Sequence, residues 1–160
     1  MPSFVIEPLL NHDKRNFCSA IDTLDIYLRE QAAQDVRRRV ATCFVAVDDE
    51  NNRIAGYYTI SASGVDLTEF PEEQAKRLPR YPLVPAARLG RLAVDQNYRG
   101  QKLGAALLCD AIERVRRSDL AAVVLIVDAK DDTARNFYLH HGFLPFKGRP
   151  LQLFYPLGKR

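Results

Sequence analysis

Four residues of one short stretch, Arg99, Gly100, Lys102 and Gly104, are of the types that together can hold a phosphate. They lie where an apolar segment gives way to a helical pattern. Leu89–Val94 is apolar and alternating enough for a strand. From about Lys102 onward, Leu103, Ala106, Leu107, Ala111, Ile112 and Val115 recur at the three- and four-residue spacings of one helix face. The first amides of a helix lack internal partners and carry the positive end of its dipole, so a glycine-bearing turn at that point can receive an anion. Arg99 and Lys102 add mobile positive charge there. Both the G-x-G-x-x-G fingerprint and the P-loop spacing are absent, so spacing alone leaves phosphate binding and an ordinary strand–turn–helix unit open.

Tyr138 is the second chemical candidate. A phenol has a reference pKa of about 10 against about 8.5 for a thiol, so it stays protonated where a thiolate departs and can give that thiolate a proton. A Phe–Tyr pair just before Gly142–Phe143 also suits plain core packing, and the residues alone leave both roles open. His140 and His141 are expected to serve the end of a helix, where they meet free carbonyls and the dipole. His12 has no evident partner.

The elements that must position these groups follow in order. Phe4–Leu9, ending at Pro8, reads as an edge strand. The segment from Phe17 to Val40 reads as a helix with Leu24, Leu28, Ala32 and Val36 on one face. Cys43–Val47 and Ile54–Ala62 form a hairpin across the turn DDENN. Glu69–Leu78 is expected to be a short polar helix, and Pro79, Pro82 and Pro85 an extended, exposed lead-in to the strand at Leu89. The run AAVVLIV at Ala121–Val127 suits a strand buried on both faces. Asp131–His140 is a helix capped by Asp131 or Asp132 with Gly142 at its C′ position, and Phe143–Phe146 and Leu151–Tyr155 are closing strands. Strands alternating with helices give an α/β or mixed α+β class.

Composition sets bounds. The 160 residues suffice for one core, and no apolar run approaches the ~20 residues of a membrane span. MPSFVIEPLLNHDKR has no basic lead, apolar h-region or small-residue cleavage site, so a cytoplasmic protein is expected. Cys18, Cys43 and Cys109 form no C-x-x-C pair and no zinc spacing; they read as reduced, mostly packed thiols, and no metal is expected. The net charge of +3 is modest, yet Arg37, Arg38 and Arg39 form a run, and Arg88 and Arg91 flank the central strand. Such arginines are either a solvated face or the frame of a polyanion site.

The segment LAVDQNYRGQKLGAALL resembles the acyl-CoA-binding segment of the GNAT superfamily of N-acetyltransferases, whose pattern is Q/R-x-x-G-x-G/A. Arg99 and Gly104 match its ends, and Lys102 replaces its central glycine. That replacement is read as a backbone in helical dihedrals, where glycine is allowed but not required. DDTARNFYLHHGF resembles the family's closing A-x-x-F-Y-x-x-x-G-F, with Ala134, Phe137, Tyr138, Gly142 and Phe143 matching. The N-terminal helix and GYYTISAS are similar to acetyltransferase toxins of type II toxin–antitoxin pairs.

The resemblance implies a single GNAT domain over residues 1–160, with a mixed sheet whose two central parallel strands splay apart to admit pantetheine. It implies acetyl-CoA as cofactor, held by Leu92, Ala93, Val94, Arg99, Gly100, Gln101, Lys102, Leu103, Gly104, Ala105, Asp131 and Phe137. The pyrophosphate lies over the amides from Arg99 to Ala105. The Val94 amide is the implied oxyanion donor and Tyr138 the implied acid. At the position of Asp131 the family often carries Asn, and Asp accepts where an amide would donate. The implied substrate is aminoacyl-tRNA, its phosphates met by Arg37, Arg38, Arg39, Arg88 and Arg91. The implied partners are a ribbon–helix–helix antitoxin, operator DNA reached only through that antitoxin, and a second copy in a homodimer. Two other readings remain: acetylation of a small amine or a protein N-terminus, and a CoA-binding module without turnover.

Overall fold

Runs of β-branched, aromatic and other apolar residues build most of the strands in the computed structural model, which describes residues 3–159. Residues 1, 2 and 160, at the ends of the expected domain, lie outside that description. Strand β1 (Phe4–Pro8) pairs antiparallel with β2 (Thr42–Asp48), from Phe4 opposite Asp48 to Pro8 opposite Phe44. Strand β2 pairs antiparallel with β3 (Arg53–Asp66), across a turn in which Asn52 takes φ +58°. Strand β4 (Leu83–Val94) runs parallel to β5 (Val124–Asp128), in register from Ala86 opposite Val124 to Leu89 opposite Val127, and then continues through Val94. Strand β5 is antiparallel to β7 (Arg149–Pro156), which carries β6 (Leu144–Phe146) on its other side. The result is one mixed seven-stranded sheet of order β1-β2-β3-β4-β5-β7-β6.

Three expectations need correction. The N-terminal helix is not continuous: α1 (Asp22–Ile26) and α2 (Ala32–Arg37) flank a π turn at Tyr27–Gln31. Four-residue spacing of Leu24, Leu28, Ala32 and Val36 tolerates one inserted residue, so the pattern did not expose it. The helix expected at Glu69–Leu78 is reduced to a 3-10 turn at Leu67–Glu69 and α3 (Glu72–Ala75). Pro71 holds the preceding Phe70 extended, at φ −80° and ψ 146°, and so prevents the two from merging. The central strand begins at Leu83 rather than Leu89. The prolines pre-extend the chain as expected, and the extension becomes strand: Val84 is fully buried, and the carbonyl of Pro85 accepts the Val123 N–H at 2.9 Å.

The chain packs as two compact units. One runs to Ser61 and takes in Gly90–Ala111; the other comprises Ala62–Leu89 and the chain from Ile112 onward. The core of the first joins Leu28 and Ala32 to Val45, Ile54, Tyr57 and Ala93. The core of the second joins Val84, Ala86, Val124 and Ile126 to an aromatic group in which Phe70 meets Phe154 edge-on at 4.9 Å. Helix α4 (Leu103–Arg117) buries Leu103, Leu107, Leu108, Ala111, Ile112 and Val115, while Ala106 faces out. Of the cysteines, Cys43 is packed and Cys109 is exposed.

Candidate active site

The turn after β4 is clamped from outside the strand. Asp95 is fully buried. Its carboxylate accepts the Asn97 N–H at 2.8 Å and the Cys18 N–H at 3.0 Å, and its own N–H donates to the Ala55 carbonyl at 2.8 Å. The Gln96 N–H donates to the Cys18 carbonyl at 2.8 Å. Arg99, expected to be mobile, instead donates from Nη2 to the Ser19 carbonyl at 2.6 Å. Sequence reading missed this role of Asp95. An Asp two residues before Asn in a turn is a local signal for a side-chain cap, but its second partner, Cys18, is remote in sequence.

The backbone then takes left-handed dihedrals twice, at Gly100 (φ +79°) and at Lys102 (φ +60°). The helical dihedrals expected for Lys102 are therefore wrong. The position keeps a conformation that favours glycine, and the lysine adopts it because the clamped turn and the buried Leu103 fix the chain on both sides. Left-handed residues within such a turn are the kind of geometry that lets successive N–H groups converge on an anion. Ala106 N–H, bonded to the Lys102 carbonyl at 3.1 Å, closes the first turn of α4, so the amides of Leu103, Gly104 and Ala105 precede the internal ladder. A pyrophosphate fits this donor set, with exposed Gly100 and Lys102 at its rim. Lys102→Gly should relieve the strain. Net of glycine's larger unfolded-state entropy, the gain is about 0.5–1 kcal/mol, or roughly 1–4 °C in melting temperature. An unchanged or lower melting temperature would show an unstrained turn.

On β4 itself Ala93 is buried, and Leu92 and Val94 are partly exposed. Tyr138 lies in α5 (Asp132–His140), whose two ends are capped as the sequence suggests. The Asp131 carboxylate accepts the Ala134 N–H at 2.8 Å, and Gly142 takes φ +93° after the last turn. His141 Nδ1 meets the Phe137 carbonyl at 2.8 Å, the carbonyl-satisfying role expected. The Tyr138 ring packs 5.3 Å from Phe143 and 5.3 Å from Phe137. Its hydroxyl has no hydrogen bond within the described residues, and none of their buried polar side-chain atoms is left unpartnered, so the oxygen reaches the surface. Burial pushes this phenol up to about 12.

The arginines divide. Arg37, Arg38 and Arg39 are exposed at the end of α2. Arg88 is ion-paired with Asp128, which also accepts from Gln152 Nε2 at 3.1 Å. Arg91 lies over the ring of Tyr27, 3.6 Å from its centroid. His12 has partners after all: Nδ1 accepts the Leu10 N–H at 3.0 Å, and Nε2 faces the Glu7 carboxylate at 3.1 Å. Among the described residues no His, Cys, Asp and Glu group is arranged to hold a metal ion, and no helix is long and apolar enough to cross a membrane.

Burial sets a pH response as well. It pushes the Cys43 thiol up to about 12 from an ordinary 9.0, and Tyr138 to about 12 from 10.0; Tyr27 and Tyr57 are also raised. In each case the unfolded chain loses its proton first as pH rises. Stability from these groups is therefore complete below about pH 9 and falls toward pH 12. Denaturant midpoints should decline across that window, and a flat profile would contradict the burial of these groups.

A strand leading through a clamped turn into a helix whose first amides have no internal partners is an arrangement suited to a phosphate, and a buried phenol that keeps its proton is suited to meet a thiolate. The chain belongs to the acetyltransferase (GNAT) family, whose profile matches residues 6–143. It is an acetyltransferase of the class that uses acetyl-CoA as donor. It is 35% identical over 143 residues to the tRNA-acetylating toxin of Mycobacterium tuberculosis, covering 88% of this chain and 84% of the relative. It is 27% identical over 164 residues to the probable toxin TacT of Sinorhizobium fredii, covering 96% and 91%. Among solved structures it is similar to AtaT complexed with acetyl-methionyl-tRNAfMet, at TM-score 0.88 and 28% identity over 96% of this chain and 95% of that one. AtaTR bound with AcCoA aligns at TM-score 0.82 and 26% identity, covering 96% and 94%. A mutant AtaT toxin bound to the C-terminus of the antitoxin AtaR aligns at 0.81 and 25%, covering 96% and 93%.

Proposed function

We propose that this acetyltransferase is the toxin of a type II toxin–antitoxin pair, which acetylates the amine of aminoacyl-tRNA and so blocks translation in the cytoplasm. The observation that carries the reading is the likeness, across 96% of the chain, to AtaT in complex with an acetylated aminoacyl-tRNA. The 35% identity to a tRNA-acetylating toxin supports it. Acetyl-CoA, when bound, supplies the acetyl thioester. Arg99, Gly100, Gln101, Lys102, Leu103, Gly104 and Ala105 would hold its pyrophosphate. The backbone of Leu92, Ala93 and Val94 would pair with its pantetheine, and Asp131 and Phe137 would flank the same arm. The Val94 N–H would donate to the thioester carbonyl oxygen as negative charge develops there, a kind of contact that is often the largest single catalytic contribution. Tyr138, which burial keeps protonated, would give its Oη proton to the departing sulfur.

No side chain of this chain is assigned as base, because the ammonium of an aminoacyl ester is comparatively acidic and can lose its proton to water. Glu69, a carboxylate that could otherwise take that proton, is paired with Arg149 at 3.0 Å. Arg37, Arg38, Arg39 and Arg91 are assigned to tRNA phosphates; Arg88, expected with them, is already engaged by Asp128. A ribbon–helix–helix antitoxin is the expected partner, with operator DNA bound through it, and the toxin is expected to be a homodimer. The complex of a mutant AtaT toxin with the C-terminus of the antitoxin AtaR supports an antitoxin as partner. The test is thiol release from acetyl-CoA with charged tRNA, deacylated tRNA and small amines as acceptors. Release with charged tRNA alone is expected. Release with small amines but not charged tRNA would replace the reading with the small-amine one.

A further inference from the structure

We infer that Tyr27, set by the π turn and by Asp35, is a positioning residue that holds Arg91 as a preformed receptor for a tRNA phosphate. The inference rests on the tRNA reading above. An α-helix turns about 100° per residue, so residues eight apart sit about 80° out of line. One residue inserted by a π turn brings the same pair to within about 20°. The pair here is Tyr27 and Asp35, and the Tyr27 hydroxyl donates to Asp35 Oδ2 at 2.8 Å. Gln31 Nε2 donates to the other carboxylate oxygen at 3.0 Å. The hydrophobic face of Tyr27 stacks near Tyr57, at 6.4 Å and 15° between planes. The ring is thus fixed at its edge and on one side, and only 6% of the residue is exposed.

Arg91 lies across that ring at 3.6 Å from its centroid. Half-buried, it makes no hydrogen bond or ion pair with the described residues. A guanidinium stacked by its face keeps its N–H edges available, and their fork matches two oxygens of a phosphate. The stack also removes much of the rotamer freedom that a flexible arginine would lose on binding. Arg88, by contrast, already has Asp128. Asp35 lies near enough to lower the net charge of the site, and its carboxylate is held below the usual range by Gln31 and Tyr27. It is already engaged by those two donors, which leaves the fork of Arg91 for an outside anion.

The test measures KM and kcat for charged tRNA, and the slope of log affinity against log salt, in Arg91→Met, Tyr27→Leu, Tyr27→Phe and the Arg91→Met/Tyr27→Leu double variant. Arg91→Met should raise KM roughly tenfold or more and reduce the salt slope by about 0.7–0.9, the signature of one phosphate. Tyr27→Leu should raise KM roughly two- to tenfold, as loss of one cation–π contact would. Tyr27→Phe, which keeps the ring but frees one Asp35 oxygen to compete for Arg91, should raise KM by less than Tyr27→Leu does. In the double variant the Tyr27→Leu effect should vanish, because the two act as a unit. Additive losses, or a wild-type KM in Tyr27→Leu, overturn the inference. If Tyr27→Leu fails to fold, Arg91→Lys answers the same question, since it keeps the charge but neither plane nor fork. A wild-type KM in Arg91→Lys overturns the inference, and a KM near that of Arg91→Met supports it. If the wild type acetylates no charged tRNA, the toxin reading falls and this inference with it, a result distinct from normal wild-type transfer with an inert Tyr27.

Discussion

Tyr138→Phe is expected to bind acetyl-CoA as the wild type does and to turn over roughly 10²–10⁴-fold more slowly, the usual range for one acid–base group. The ring, packed against Phe143 and Phe137, is retained, and the lost hydroxyl has no hydrogen bond to the rest of the described chain. The fold should therefore be little affected, and the loss should fall on kcat rather than on cofactor affinity. The pH profile carries a second signature. Burial holds the phenol near 12, so wild-type turnover should show no falling limb from this acid below about pH 10. Near-normal turnover in the variant would mean that solvent protonates the thiolate and that Tyr138 only packs.

Gly104→Glu is expected to abolish acetyl-CoA binding. Gly104 is in the first turn of α4, among the amides that precede the Ala106–Lys102 bond. A carboxylate there adds bulk and negative charge where the backbone must approach phosphate. The same carboxylate favours the helix dipole, so the apo fold should hold or gain slightly. At about a hundredfold over Kd, acetyl-CoA should stabilise the wild type by about 2.7 kcal/mol, or roughly 5–10 °C. A variant that keeps this shift would remove the turn from the cofactor site.

The sheet and the capped α5 were legible because their signals are local. Cys43–Val47 is rich in apolar and β-branched residues, Ala121–Val127 is uniformly apolar, and Asp131 and Gly142 bracket their helix with residues suited to its two ends. The class of protein was legible for another reason: two separated motifs, around Arg99–Gly104 and Ala134–Phe143, stand in the order the family requires. What was not legible depends on remote partners. Lys102 reads as an ordinary helical residue, and only the Asp95 clamp to Cys18 and Ala55 makes its left-handed backbone the consistent solution. The π turn is invisible to a four-residue periodicity that survives one insertion. Arg88 and Arg91 look equivalent in sequence, yet one is opposite Asp128 and the other over Tyr27. The β4–β5 pairing settles one partner and the placement of the N-terminal helical segment the other, and no local pattern encodes either.

The most direct measurement of the central claim is the chemical fate of the acceptor. Charged tRNA is incubated with the protein and labelled acetyl-CoA, digested with nuclease, and the aminoacyl-adenosine is identified by mass. Label on the amino group of that fragment, absent with deacylated tRNA and strongly reduced with Tyr138→Phe, is the predicted result. Unlabelled aminoacyl-adenosine from a protein that still releases thiol with small amines would contradict it.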